Sequence, residues 1–263
     1  MNLSENITTV ITIAKEAGAF IREERRKFSY EKVENKATND LVSYVDKTAE
    51  EMIVSKLRKA FPAHGYIAEE NRELEKKDYN WIIDPLDGTT NFVHGIPCYA
   101  VSIGLEHKGE ILLGVVYEVA NDECYYAWSG GGAFLDGKKI NVTQTAKLKD
   151  SLIATGFPVN KFDKMTAVLN CLDHFMRNTH GVRRIGSAAS DLCFLASGRV
   201  DAFYEYNLNP WDVAAGIIIV KEAGGKVSDF SFGNDHLFGR QIMAANTALF
   251  EEFGNVIRKN FIG

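Results

Sequence analysis

The sequence predicts a mixed α/β protein, an α+β half followed by an α/β half, on three observations. Apolar residues near the N-terminus recur at helical spacing. From Tyr66 to about Thr143 the pattern changes to short strands joined by tight turns, and after Asp150 strands and helices alternate. The first helix is carried by Ile7, Val10, Ile11, Ala14, Ala17 and Ile21 and closes on the charged run REERRKF. Ser43 is placed to cap a second helix through Ala49, Met52, Ile53 and Leu57, which Pro62 stops. The strands that follow are YIAEE, WIID, YAVSIGLEH, ILLGVVYEV, ECYYAW and GAFLDGKKINV, with HKGE, ANDE and LDGK as turns of antiparallel hairpins. The second half runs strand SLIATGF, helix 163–177, strand VRRIG, helix 187–197, strand VDAFYE, helix 211–223, strand KVSDF and a terminal helix. No linker rich in Pro, Gly or Ser separates the halves, so 1–263 is expected to form one compact unit with parts 1–145 and 146–263.

Composition narrows the function. The chain has 263 residues, 46% hydrophobic and 25% charged, ordinary values for a soluble globular protein with a large core. The formal net charge is −5 and no basic cluster stands out, which argues against nucleic acid as a partner. The opening MNLSENITTVITIAKEAG carries Glu5 and lacks the basic and apolar regions of a secretion signal. No run approaches the roughly 20 apolar residues of a membrane helix. Cys98, Cys124, Cys171 and Cys193 lie far apart with no CxxC pair, the pattern of reduced core thiols in a cytoplasmic protein.

The stretch WIIDPLDGTTNF, residues 81–92, carries the chemistry. WIID is expected to be a short strand, so PLDGTT falls just past its carboxyl end, where open sheets tend to hold ligands. Pro85 fixes φ and removes a donor, forcing the chain off the strand. Asp84, the Leu86 carbonyl and Asp87 are then able to point into one hollow, an all-oxygen set suited to a hard cation such as Mg²⁺. Gly88, Thr89 and Thr90 would start a helix whose N–H groups hold an anion. A solvated Asp-rich turn accounts for DG equally well. Further acids fall at element ends: Glu69 and Glu70 close YIAEE, Asp40 and Asp46 flank the start of the second helix, and Asp212 opens an apolar helix. Each has a plain reading, surface charge for the glutamates and helix capping for the aspartates, but their repeated placement at element ends favours a shared cation.

WIIDPLDGTTNFVHGIPCYAVSIGL, AEEN and PWDVAAGIIIVKEAGG resemble the three signature regions of the inositol monophosphatase family, and GVVYEV and GAFLDGKKINV extend the likeness over essentially the whole chain. The resemblance implies a five-layered α/β/α/β/α sandwich, a homodimer, and Mg²⁺-dependent hydrolysis of phosphate monoesters. It implies a first ion on Glu69, Asp84 and the Leu86 carbonyl, and a second on Asp84, Asp87 and Asp212. A third, weaker ion would use Glu69, which thereby joins Thr89 and Asp46 among the catalytic residues. Thr89 and Asp46 match the pair that orients and deprotonates the attacking water. Substrate is expected against Lys36, Gly88, Thr89, Thr90, Ala188, Glu205 and Asp212, with Glu205 hydrogen-bonding the inositol ring. The segment YNLN between Glu205 and Pro210 departs from the family pattern and leaves the alcohol half open.

Competing catalytic motifs fail on spacing. Gly132 to Lys139 nearly spells a phosphate loop, but Lys139 replaces its Ser or Thr and strand residues follow. No GxSxG elbow or HExxH pair is present, and His94 is expected to be structural. The expected substrate is inositol 1-phosphate. Fructose 1,6-bisphosphate, histidinol phosphate, NADP and 3′-phosphoadenosine 5′-phosphate are alternatives within the superfamily, and a non-catalytic metal-binding relative is the remaining class.

Overall fold

The computed structural model describes residues 2–28, 33–37, 40–71, 76–159 and 161–263, with the side chains of 33–37 and 40–42 outside the description. Two long helices come first: α1 (Leu3–Lys27) and α2 (Tyr44–Ala60). A two-stranded antiparallel ladder, β1 (Val33–Ala37) with β2 (Asp40–Ser43), lies between them. This hairpin was not anticipated, because VENKA has no period-two apolar alternation.

Seven strands follow: β3 (Gly65–Ala68), β4 (Tyr79–Asp87), β5 (Ala100–His107), β6 (Glu110–Glu118), β7 (Glu123–Trp128), β8 (Gly132–Leu135) and β9 (Lys138–Ile140). They pair in chain order, β3 with β4 in parallel and the rest antiparallel. Two of the expected hairpin turns have both central residues at positive φ: Lys108 and Gly109 at 53° and 85°, Asp136 and Gly137 at 46° and 81°.

The second sheet contains β10 (Leu152–Thr155), β11 (Gly181–Arg183), β12 (Ala202–Tyr206), β13 (Gly225–Ser228) and β14 (Gln241–Asn246), in the order β11-β10-β12-β14-β13. The expected strand VRRIG shortens to β11. QIMAAN, not anticipated as a strand, is β14, buried except at its first residue. Its mild, unalternating apolar character gives no period to read, since both of its faces are covered.

Layering follows from which faces are apolar. Ile7, Val10, Ala14, Ala17 and Ile21 of α1, with Ala49, Ile53 and Leu57 of α2, pack on one face of the seven-stranded sheet. On its other face lie α5 (Ala188–Ala196) and α6 (Pro210–Glu222), in an apolar cluster that draws on both sheets. α4 (Met165–Asn178) and α7 (Phe250–Phe261) cover the far side of the five-stranded sheet. The result is a five-layered αβαβα sandwich. Every residue from Val213 to Val220 is buried, as expected of a helix pressed between two sheets. Gly114 of β6 makes that approach feasible, because a Cβ there would sit 2.6 Å from the Ala215 carbonyl oxygen. All four cysteines are buried and unpaired. Among the described residues no helix is long and apolar enough to cross a membrane.

Candidate active site

β4 does not end at Asp84 as expected but runs through Asp87, and the DPLD stretch is a bulge within it. Asp84 pairs with Ser102 and Asp87 with Ala100, so three steps on β4 span two on β5. Pro85, which has no N–H for the ladder, sits inside that irregularity. The bulge re-aims both aspartates toward the same side. Gly88 then turns the chain into α3 (Thr89–His94) with φ at 91°, and a Cβ there would meet the carbonyls of Cys98 and Gly186 at 3.1 and 3.2 Å. Only glycine fits that corner without strain.

Carboxylate oxygens of Asp84, Asp87 and Asp212 all lie within 4.8 Å of one another. Asp84 is buried, while Asp87 and Asp212 open on a cleft that Glu69, Leu86 and Glu205 also line. Burial raises Asp84 well above the ordinary carboxylate range, and Glu69, Asp87 and Asp212 add repulsion. Asp212 is raised by burial, then by Asp87 and Glu69. Burial lifts Asp87 to about 6, moderated by hydrogen bonds from Ser187 Oγ and the Ala189 N–H, both 2.7 Å from its Oδ2. Glu69, Asp84, Asp87 and Asp212 thus offer hard oxygen donors to one hollow, with Glu205 a fifth acid on the same lining, an arrangement a divalent cation would relieve.

Helix capping and the site share residues. Asp46, fully buried, is the third residue of α2, not its cap: its Oδ2 accepts from the Ser43 N–H at 2.8 Å and from Ser43 Oγ at 2.7 Å. Its other oxygen lies 2.9 Å from Thr89 Oγ1, which also stands 3.0 Å from the Leu86 carbonyl. Asp212 repeats the pattern as third residue of α6, accepting from the Asn209 N–H at 2.6 Å; the N-cap is Asn209, so the plain alternative reading of Asp212 as the cap does not hold. Asp40 lies on β2, away from the helix start.

The remaining expected residues divide. Gly88, Thr89, Thr90, Ala188 and Glu205 line the same cleft. Glu205 is raised well above the carboxylate range by burial, then by Asp212 and Asp87. Lys36 is a residue of β1 whose side chain lies outside the described set. Several residues in or behind the cleft were not anticipated. Ser187, which caps α5 by accepting from the Ser190 N–H, was legible as a serine before an apolar helix. Asn91 donates to the carbonyls of Cys98 and Ile185, both at 2.8 Å, tying α3 to the second half. Arg184 and Arg240 line the cleft with no motif to announce them.

The family model for the inositol monophosphatase family matches residues 2–260. The chain belongs to that family. It is 40% identical over 261 residues to an inositol-1-monophosphatase from Mesorhizobium japonicum, covering 98% of each chain. It is also 40% identical over 251 residues to a protein named Nus factor SuhB from Pseudomonas aeruginosa, covering 93% of each. The crystal structure of the extragenic suppressor protein SuhB from Bartonella henselae superposes with a TM-score of 0.92 at 39% identity, over 97% of this chain and 99% of that one. The chain is thus an enzyme of the inositol monophosphatase type, a phosphoric monoester hydrolase.

Proposed function

We propose that this enzyme hydrolyses the phosphate monoester of a small polyol, inositol 1-phosphate foremost, with Mg²⁺. The observation that carries the reading is the convergence of Asp84, Asp87 and Asp212 within 4.8 Å beside the Thr89–Asp46 pair. The donors fit the ion, all of them hard oxygens on a cleft wide enough for water and phosphate. Glu69, Asp84 and the Leu86 carbonyl would hold one Mg²⁺, and Asp84, Asp87 and Asp212 a second. When bound, such a pair supplies charge neutralisation of the phosphate, a lowered pKa for water and stabilisation of the leaving alkoxide.

The protein groups do the rest. Thr89 donates its hydroxyl proton to Asp46, which turns the oxygen lone pairs toward the cleft to accept from the attacking water. Asp46 is held in place by both Ser43 donors, so the relay loses little orientation. Gly88 and Thr90 line the cleft at the start of α3, where the phosphate would sit. Glu205, which lines the same cleft, would accept hydrogen bonds from ring hydroxyls of the alcohol. Because water attacks directly, no covalent phospho-enzyme is needed. The family resemblance further supports a homodimer, and the buried, unpaired cysteines favour a reducing, cytoplasmic setting.

Phosphate release from inositol 1-phosphate, fructose 1,6-bisphosphate, histidinol phosphate, NADP and 3′-phosphoadenosine 5′-phosphate, each with and without Mg²⁺, tests this. The expected result is Mg²⁺-dependent release with the highest kcat/KM on inositol 1-phosphate. Preference for another ester overturns the substrate, and Mg²⁺-independent release overturns the mechanism.

A further inference from the structure

The alcohol side of the cleft is built differently from the phosphate side, and one unassigned residue holds it. β12 and β14 pair antiparallel as far as Tyr206 opposite Gln241. The next rung is a single bond, from the Asn207 N–H to the Arg240 carbonyl at 2.7 Å. Both residues have left-handed backbones, φ 73° at Asn207 and 60° at Arg240. Non-glycine residues adopt that region at a cost and persist there only where surrounding contacts over-determine them. The break turns residues 207–209 off the sheet and into the cleft wall, where Asn207, Leu208 and Asn209 lie with Arg240 itself.

The Arg240 guanidinium supplies those contacts. Its Nε donates to Asn207 Oδ1 at 3.0 Å, Nη1 to Asn209 Oδ1 at 3.0 Å, and Nη2 to the Asn207 carbonyl at 3.3 Å. A planar fork with donors on three nitrogens is needed to reach all three acceptors, and a lysine ammonium has no equivalent geometry. Asn209 in turn precedes Pro210 and donates its N–H to Asp212, so the clamp reaches the start of α6.

We infer that Arg240 is a positioning residue for the alcohol half of the site: by fixing Asn207 and Asn209 it sets the wall against which the alcohol is selected. The inference rests on the phosphatase reading and deepens it, because the phosphate half has its own supports in Ser43, Ser187 and Asn91. Arg240→Ala should then penalise a substrate in proportion to how much of its alcohol the wall must seat.

The test compares wild type, Arg240→Ala and Arg240→Lys on inositol 1-phosphate and on 4-nitrophenyl phosphate, with hydrogen exchange of the 206–211 segment measured on the same preparations. For Arg240→Ala we expect KM for inositol 1-phosphate to rise tenfold or more, with the loss on the aryl ester several-fold smaller. Faster exchange should be confined to 206–211. Arg240→Lys should behave as Arg240→Ala, and millimolar guanidinium should partly restore Arg240→Ala on inositol 1-phosphate alone. Equal losses on both esters, or rescue by lysine, would overturn the role in alcohol selection, and unchanged exchange would overturn the clamp. A wild type inactive on both esters would instead remove the phosphatase reading, with the exchange measurement still deciding whether Arg240 holds the wall.

Discussion

The two walls of the cleft are made by different means. The wall proposed to hold the phosphate is built mainly from one contiguous stretch, Asp84 to Thr90, shaped by a bulge and a left-handed glycine, with Asp212 brought to it from the first turn of α6. Its outside supports are short and few: Asp46 against Thr89, and Ser187 with the Ala189 N–H against Asp87. The alcohol wall is assembled from separate segments, with Glu205 on β12, Asn207 to Asn209 beyond it, Phe157 to Val159 after β10 and Arg240 ahead of β14. A local wall of this kind changes little without losing its chemistry, whereas a composite wall is free to vary residue by residue.

The largest effect should come from a substitution that breaks the phosphate wall without touching the fold. In Asp212→Asn the amide oxygen is still able to accept from the Asn209 N–H, so the start of α6 is preserved. The negative charge needed by a second cation is gone. The Mg²⁺-dependent rate should fall roughly a hundredfold or more, several kcal/mol of transition-state stabilisation, while the metal-free melting temperature stays level or rises slightly as one repelling charge leaves. A near-normal rate combined with lowered metal-free stability would reduce Asp212 to a capping residue and take the two-ion assignment with it.

Ser187→Ala probes the support lent by the second half. It removes the 2.7 Å bond to Asp87 and the cap of α5 together. A lost cap costs about 1 kcal/mol, roughly 2–4 °C in a protein of this size, and loosening Asp87 should lower kcat about tenfold. An unchanged kcat with the expected melting loss would show that Asp87 needs no help from α5.

The same contrast explains what the sequence revealed. The stretch Asp84 to Thr90 was readable because its residues are neighbours in the chain: spacing puts Asp84, Leu86 and Asp87 within reach of one hollow, and the family resemblance, not spacing, decided against a solvated turn and gave Thr89 its role. Individual elements were readable where periodicity is strong, as along α1, or where turns need special residues, as at Asp136-Gly137, whereas the five-layer order was implied only by the family resemblance. The bulge was misread as a strand end because Pro85 signals both. β14 escaped because a strand covered on both faces has no alternation. Arg240 escaped for a different reason: its partners lie 31 and 33 residues away, and only the pairing of β12 with β14 brings them together.

Glu205→Gln sharpens the comparison from the alcohol side. If Glu205 accepts from ring hydroxyls, the amide keeps the shape but turns one acceptor oxygen into an NH₂ donor, so turnover of inositol 1-phosphate should drop about tenfold. 4-Nitrophenyl phosphate, which has no ring hydroxyls, should lose far less. Matching losses on the two esters would move Glu205 to the phosphate wall.

The smallest effect concerns the metal-free protein. Asp87 is raised to about 6 by burial, and Asp84 and Asp212 are raised by burial and then by their neighbours. A carboxyl whose folded pKa exceeds its unfolded one prefers to stay protonated in the fold. Its contribution to stability is complete below the ordinary carboxylate pKa of about 4, and it is lost as pH rises through the folded value. Between pH 4.5 and 7 the cluster should therefore pull the melting temperature of metal-free protein downward. Other groups titrate in that window, so the informative quantity is the difference from Asp212→Asn, whose decline should be shallower by on the order of a few degrees. Saturating Mg²⁺ at pH 7.5 binds only the folded cluster and should raise the wild-type melting temperature with concentration, while doing less for Asp212→Asn. Parallel pH profiles for the two proteins, together with equal Mg²⁺ responses, would mean that the acids do not feel one another and that the phosphate wall is no preformed cation site.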